Sequence, residues 1–265
     1  MVIENYSLFS SSMLDKLSDD DLRRLNELLP WSCFILDSNG RKFGTVPVNK
    51  DYVATKNGLK RNNAQIIPDP RISYLHNKIN LSNKSVLEVG CYEGIHTIAL
   101  SLLSKEVYAV DSRIENVVKT ITRANIMGFN PIVSICNLED EKDVVNLSRV
   151  DVVHHVGVLY HLTNPVKNLY EMSLLANKVI LLDTHYATEK MINNTYIFNN
   201  NEYKYYHYSE SGRADVFSGM NDHAKWLLKD DIINTLKVMG FSIFEIIRDQ
   251  VERNGPRFCV LASKY

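Results

Sequence analysis

From Lys84 onward the chain alternates short apolar runs with amphipathic stretches. The runs at 85–89, 106–110, 131–136, 150–156 and 178–183 predict strands, and 94–104, 114–127 and 165–176 predict helices. Gly128 suits the residue just past a helix end, and Asn164-Pro165 places proline in a first helical turn. Alternation of this kind predicts parallel strands joined by right-handed crossovers. The C-terminal part reads differently. A helix over 229–239 is stopped by Gly240, and two strands follow at 241–247 and 257–262, with Asn254-Gly255-Pro256 before the second. The predicted fold is α/β: a doubly wound, mostly parallel seven-stranded sheet ending in an antiparallel hairpin.

Ahead of this pattern, residues 1–75 predict a helical and hairpin extension. Ser18 followed by Asp19, Asp20 and Asp21 marks a helix start, with Leu22, Leu25, Leu28 and Leu29 expected on one face. Ser38-Asn39-Gly40 between two short apolar runs signals a hairpin. The catalytic domain is expected over 76–265. Within it, 184–228 is too long and too weakly periodic for an ordinary connection. It carries Tyr186, Tyr196, Tyr203, Tyr205, Tyr206 and Tyr208, and its place after the fifth strand predicts a tyrosine-rich substrate lid.

At 265 residues and 45% hydrophobic content the chain can build one large core. Its formal net charge of −1 leaves no broad basic footprint for nucleic acid. The four cysteines, Cys33, Cys91, Cys136 and Cys259, form no Cys-x-x-Cys pair, which predicts no zinc site and a reducing, cytoplasmic setting, and Cys91, Cys136 and Cys259 in or beside apolar runs are expected to be buried thiols. Neither a signal peptide nor a membrane-spanning run is expected.

The chemistry centres on Glu88-Val89-Gly90-Cys91-Tyr92-Glu93-Gly94, a strand running into a glycine-bracketed turn and a helix. Asp111 ends the next apolar run, where a carboxylate can accept both hydroxyls of a ribose. A dinucleotide site wants Gly-x-Gly-x-x-Gly, whereas the spacing here is Gly90-x-x-x-Gly94, with Glu93 placing negative charge where a pyrophosphate would lie. The turn is therefore expected to serve a ligand without phosphates.

This stretch resembles motif I of the class I S-adenosylmethionine-dependent methyltransferases, and the resemblance runs in order over residues 70–265. It implies S-adenosylmethionine as cofactor, contacted by Glu88, Gly90, Cys91, Tyr92, Glu93, Gly94, Asp111, Ser112, Asn137, Leu138, Val156 and Gly157. Tyr92 departs from the pattern, standing where many members have a glycine. The loop Gly157-Val158-Leu159-Tyr160-His161 and Arg257 are similar to tRNA wobble-uridine carboxymethyltransferases. That loop is also similar to methyltransferases that accompany glycosyltransferases, together with Thr184-His185-Tyr186, Trp226-Leu227 and Gly255-Pro256-Arg257. The second resemblance spans more of the chain and implies O-methylation of a sugar or glycan hydroxyl. Tyr160, Tyr186 and Arg257 are then expected at the acceptor.

A hydroxyl acceptor must lose a proton, and histidine is suited to take it near neutrality. His161 and His185 are the candidate bases, while His96 is expected to brace the cofactor loop. Asp183 and His185 form too sparse a cluster to predict a metal. The partner expected is a small-molecule or glycan acceptor, with a homo-oligomer or a glycosyltransferase partner left open. The alternatives are a tRNA uridine carboxymethyltransferase-like enzyme and a non-catalytic cofactor-binding partner of a glycosyltransferase.

Overall fold

Ser18 opens the helix Asp19–Leu28 by accepting a bond from Asp21 N at 3.1 Å, the capping expected of a serine before three acids. The leucine face is narrower than predicted. Leu22 is buried, but Leu28 is 68% exposed, because the chain turns inward only at Trp31, which packs edge-on against Phe43. Strands β1 (Ile35–Leu36) and β2 (Lys42–Phe43) form the predicted hairpin around Gly40. The computed structural model describes residues 13–44 and 63–264. The remainder of the expected 1–75 extension, residues 1–12 and 45–62, lies outside the described residues.

The nucleotide-fold pattern is present as strands β3 (Ser85–Val89), β4 (Glu106–Asp111), β5 (Ile132–Ile135), β6 (Val150–Val156) and β7 (Ala176–His185). Three further strands, β8 (Asn194–Phe198), β9 (Asn201–Ser209) and β10 (His223–Leu227), precede the closing pair β11 (Ile243–Glu252) and β12 (Gly255–Ser263). One seven-stranded sheet runs in the order β11-β12-β7-β6-β3-β4-β5. β3, β6 and β7 pair in parallel, and β12 returns antiparallel between β7 and β11. The fold is the doubly wound sheet with a terminal antiparallel hairpin that the apolar pattern predicts.

Packing divides the chain differently from the expected boundary near residue 75. One unit holds the described residues up to Asn83 together with Cys91–Ser134, and the other holds Lys84–Gly90 with Ile135 onward. In the first, Arg123 is buried with its guanidinium 4.6 Å from the Trp31 ring centre and 5.3 Å from that of Phe43. In the second, β6, β7 and β12 are buried through most of their length, as strands covered on both faces must be.

The stretch 184–228 is not irregular. β8, β9 and β10 form their own antiparallel sheet in the order β10-β9-β8. Strand alternation sends its tyrosines to opposite faces. Tyr196, Tyr203 and Tyr205 lie on one face, where the Lys225 ammonium sits over the rings of Tyr196 and Tyr205 and the Tyr196 hydroxyl accepts a bond from Val166 N. Tyr206 and Tyr208 lie on the other face, packed around Trp226. Five of the six predicted lid tyrosines thus pack within this sheet or around Trp226.

Candidate active site

The turn after β3 is built by left-handed backbone at Gly90, Tyr92 and Gly94, with φ of 68°, 52° and 78°. A Cβ at Gly90 would stand 2.3 Å from Val158 Cγ2, so only glycine fits there. Cys91 N donates to Val110 O, and Thr120 Oγ1 donates to Tyr92 O, tying the turn to the end of β4 and to the helix Ile114–Ile126. Tyr92 N donates to Asp111 Oδ2 at 2.9 Å. Asp111 Oδ1 accepts from Arg113 N and Asn116 Nδ2 at 2.9 and 3.0 Å. Burial pushes the Asp111 carboxyl up, against the pull of these donors. A carboxylate has roughly four acceptor positions, and three are filled here, which leaves Oδ2 one for a ligand hydroxyl.

Glu93 corrects the sequence argument. It is 0% exposed, with its carboxylate turned toward the segment 32–33 and Lys119. It accepts from Ser32 N at 2.8 Å, Cys33 N at 3.1 Å and Lys119 Nζ at 2.9 Å, with Arg123 Nη2 3.7 Å away. Its burial raises the carboxyl, but Arg123 and Lys119 outweigh this and hold it low. Glu93 therefore cannot exclude a pyrophosphate by its charge, and its carboxylate is committed to the segment 31–33. Sequence spacing could not show the direction in which the side chain points.

The other predicted cofactor residues are spread over the strand ends. Glu88 is buried in β3 opposite His154 of β6, and Ser112 is half-buried after β4. Asn137 accepts from Glu139 N through its side chain and donates its own N–H to Asp143, while Leu138 beside it is buried. Val156 ends β6, and Gly157 donates to Asp183 O at 2.9 Å. His96, expected to brace the cofactor loop, meets the start of the helix Pro70–Ile79 instead: its Nε2 lies 3.4 Å from Asp69 and from Arg71.

The two candidate bases belong to one aromatic cluster. His185, at the end of β7, stacks on Trp226 with ring centres 4.8 Å apart and planes 9° apart, and it meets Tyr160 edge-on at 4.8 Å. Its Nδ1 lies 3.0 Å from Pro256 O, a pure acceptor, so Nδ1 carries the proton. Burial, then Arg257, lowers its pKa and keeps the ring neutral. His161 closes the short turn Leu159–His161. Its Nδ1 lies 2.6 Å from Glu210 Oε1 at the end of β9, and the carboxylate again requires the proton on Nδ1. The side chain of His161 is 19% exposed and that of Glu210 only 4%.

Arg257 and Tyr186 are more occupied than expected. Arg257 donates to Asp183 and lies 3.6 Å from Glu252, and its guanidinium sits over Tyr160. Arg248 takes the second oxygen of Asp183 at 2.8 Å, which leaves that carboxylate no place in a metal site. Tyr186 donates its hydroxyl to Asp249 at 2.8 Å. Sequence reading missed Glu210, Asn116 and Trp226. The pair Trp226-Leu227 carried a resemblance, but nothing in the sequence distinguished Glu210 from other polar positions on a strand.

Among solved structures, the N-terminal domain of EvdMO1 with SAH bound matches this chain with a TM-score of 0.72. The match has 21% identity and covers 92% of this chain and 95% of that one. The fold is that of the class I S-adenosylmethionine-dependent methyltransferases. The same EvdMO1 domain in the presence of SAH and D-fucose gives a TM-score of 0.71 at 21% identity, over 93% and 97% of the two chains. Magnesium protoporphyrin IX methyltransferase (ChlM) from Synechocystis PCC 6803 with bound SAM gives 0.51 at 18% identity, over 82% and 95%. The chain spans about half of full EvdMO1, 49% of its length. No family model matches the sequence, and no curated protein does either. No helix among the described residues is long and apolar enough to cross a membrane.

Proposed function

We propose that this protein is an S-adenosylmethionine-dependent O-methyltransferase acting on a sugar or glycan hydroxyl. The observation that carries the reading is the His161–Glu210 pair: a half-open imidazole whose Nδ1 faces a buried carboxylate at 2.6 Å, on the loop that follows β6 of a methyltransferase fold. The fit of the cofactor is supported by Asp111, a buried carboxylate with acceptor capacity left for a ribose hydroxyl, and by the glycine turn whose space at Gly90 tolerates no side chain. When bound, S-adenosylmethionine supplies an electrophilic methyl carbon and its own leaving group.

The chain's part is to hold the acceptor and take its proton. His161 Nε2 accepts the hydroxyl proton as the acceptor oxygen becomes nucleophilic, and Glu210 stabilises the imidazolium that results. His185 is less suited to this work: it is buried, held neutral and stacked on Trp226, so it shapes the cluster instead. A sugar acceptor is favoured by the likeness to an EvdMO1 domain crystallised in the presence of D-fucose and by half-buried Tyr206 and Tyr208 packed against Trp226, on which His185 stacks. The carboxymethyltransferase reading is weakened because Arg257 is already paired with Asp183 and Glu252.

The test is calorimetric titration with S-adenosylhomocysteine, followed by a labelled-methyl screen of monosaccharide and glycoside acceptors. Binding and transfer to a saccharide support the reading. Failure of folded protein to bind S-adenosylhomocysteine, or transfer to RNA alone, would overturn it.

A further inference from the structure

We infer that Glu210 is the positioning residue for His161, supplied by the three-stranded sheet and not by the nucleotide-binding part of the fold. The inference rests on the reading of His161 as the base. Glu210 directly follows β9, on the face that carries Tyr206 and Tyr208. Its two oxygens tie together two separate pieces of chain. Oε1 accepts from His161 Nδ1 at 2.6 Å, and Oε2 accepts from Gly219 N at 3.3 Å. Gly219 in turn lies directly against the histidine: a Cβ there would come within 2.5 Å of His161 O and 3.1 Å of His161 Cβ.

The backbone on both sides is pinned in the same way. Glu210 N donates to Asp222 O at 2.7 Å, which closes the loop 210–222 on itself. On the histidine side, Lys225 N donates to Leu162 O and Trp226 Nε1 donates to Tyr160 O, both at 2.9 Å. The sheet therefore holds Tyr160 and Leu162 by their carbonyls and the imidazole between them by a carboxylate. A carboxylate opposite Nδ1 selects one tautomer and leaves Nε2 as the only ring atom able to accept a proton. A residue that served packing alone would not need to choose a tautomer.

The experiment is a two-bond ¹H–¹⁵N correlation spectrum of the histidine rings in the full chain at pH 7.5, with the His161 signals assigned through His161→Gln. Wild type is expected to show the neutral form of His161 as the Nδ1–H tautomer alone. Glu210→Ala should move most of it to Nε2–H, while the Trp226 indole signal stays in place to report an intact sheet. If that signal is lost, Glu210→Gln is read instead: its neutral amide holds the ring more weakly, and Nδ1–H should exchange with solvent at least about tenfold faster. The neutral Nε2–H tautomer in wild type, or an unchanged His161 in the variant that retains the indole signal, overturns the inference.

Turnover then separates this from the parent reading. With the saccharide found in the acceptor screen, Glu210→Gln should lower kcat roughly 10- to 100-fold with KM little changed. Full activity in His161→Ala would sink the base assignment while leaving the tautomer result standing. Unchanged turnover in Glu210→Gln, with His161→Ala inactive, would sink the positioning role alone.

Discussion

Trp226 lies flat on His185, with 4.8 Å between the ring centres and 9° between the planes. Tyr208 stacks on Trp226 as well, 4.4 Å from it and at 15°, so three rings form one pile. Through this pile the three-stranded sheet meets the carboxyl end of β7. Trp226 is 1% exposed, and its indole N–H is satisfied by Tyr160 O. Trp226→Ala should therefore cost about 3–5 kcal/mol by leaving a cavity, and should loosen the sheet before the core. Urea unfolding compared with hydrogen exchange over 194–227 measures both effects. A loss below about 1 kcal/mol would show that the pile does not hold the sheet.

Gly90→Ala tests the cofactor turn. The added methyl would stand 2.3 Å from Val158 Cγ2, at a φ of 68° that alanine disfavours. The expected result is at least tenfold weaker S-adenosylhomocysteine binding, with a stability loss of about 1–3 kcal/mol. Val158→Ala in the same chain should recover part of the stability, because the clash is removed and only the backbone strain stays. Calorimetry and urea midpoints on the two variants separate these terms.

Asp111→Ala should weaken S-adenosylhomocysteine by roughly 1–3 kcal/mol through loss of the hydroxyl acceptor. Asp111 also holds Tyr92 N and Arg113 N, so part of the loss comes from a slackened turn. Asp111→Asn keeps the shape and one carbonyl acceptor, and is expected to bind with intermediate affinity. Equal affinity in all three proteins would remove Asp111 from the cofactor site.

His161→Ala should lower kcat by about 10²- to 10⁴-fold while S-adenosylhomocysteine affinity stays within about twofold of wild type. Single-turnover methyl transfer, with binding measured separately, checks it. A kcat within threefold of wild type would mean that acceptor positioning suffices without a histidine base.

Stability should fall on acidification through Glu93. Its carboxyl is held below the ordinary range because Arg123 and Lys119 outweigh the effect of burial. A group lowered in the folded state stabilises fully above its unfolded pKa of about 4.3, and that contribution is lost as pH falls through the folded value. Urea midpoints measured from pH 7 down to 3 should therefore decline, and should decline less steeply in Glu93→Gln. At pH 7 the same variant should cost about 3–5 kcal/mol, since Lys119 and Arg123 are left buried without their counter-charge. A pH slope identical to wild type would deny Glu93 this role.

Backbone-level features were legible because they depend on local periodicity and on residues with special dihedrals. The alternation from Lys84 onward predicts each parallel strand to within two residues, and Asn39-Gly40 marks the hairpin. Gly90, Gly94 and Asp111 stand where strand ends meet turns, which a sequence states directly. Side-chain direction is a different kind of fact, because it depends on what packs opposite. Glu93 faces inward because Lys119, Arg123 and two backbone amides await it there. Tyr205 and Tyr206 part company because a strand sends neighbours to opposite faces, and 184–228 has too little apolar alternation to reveal a strand. The partner of His161 is likewise separated from it by 49 residues. The sequence alone determined the sheet, the turn and the acid beside it. Only tertiary packing decided which charges are spent inside and which imidazole nitrogen meets a carboxylate.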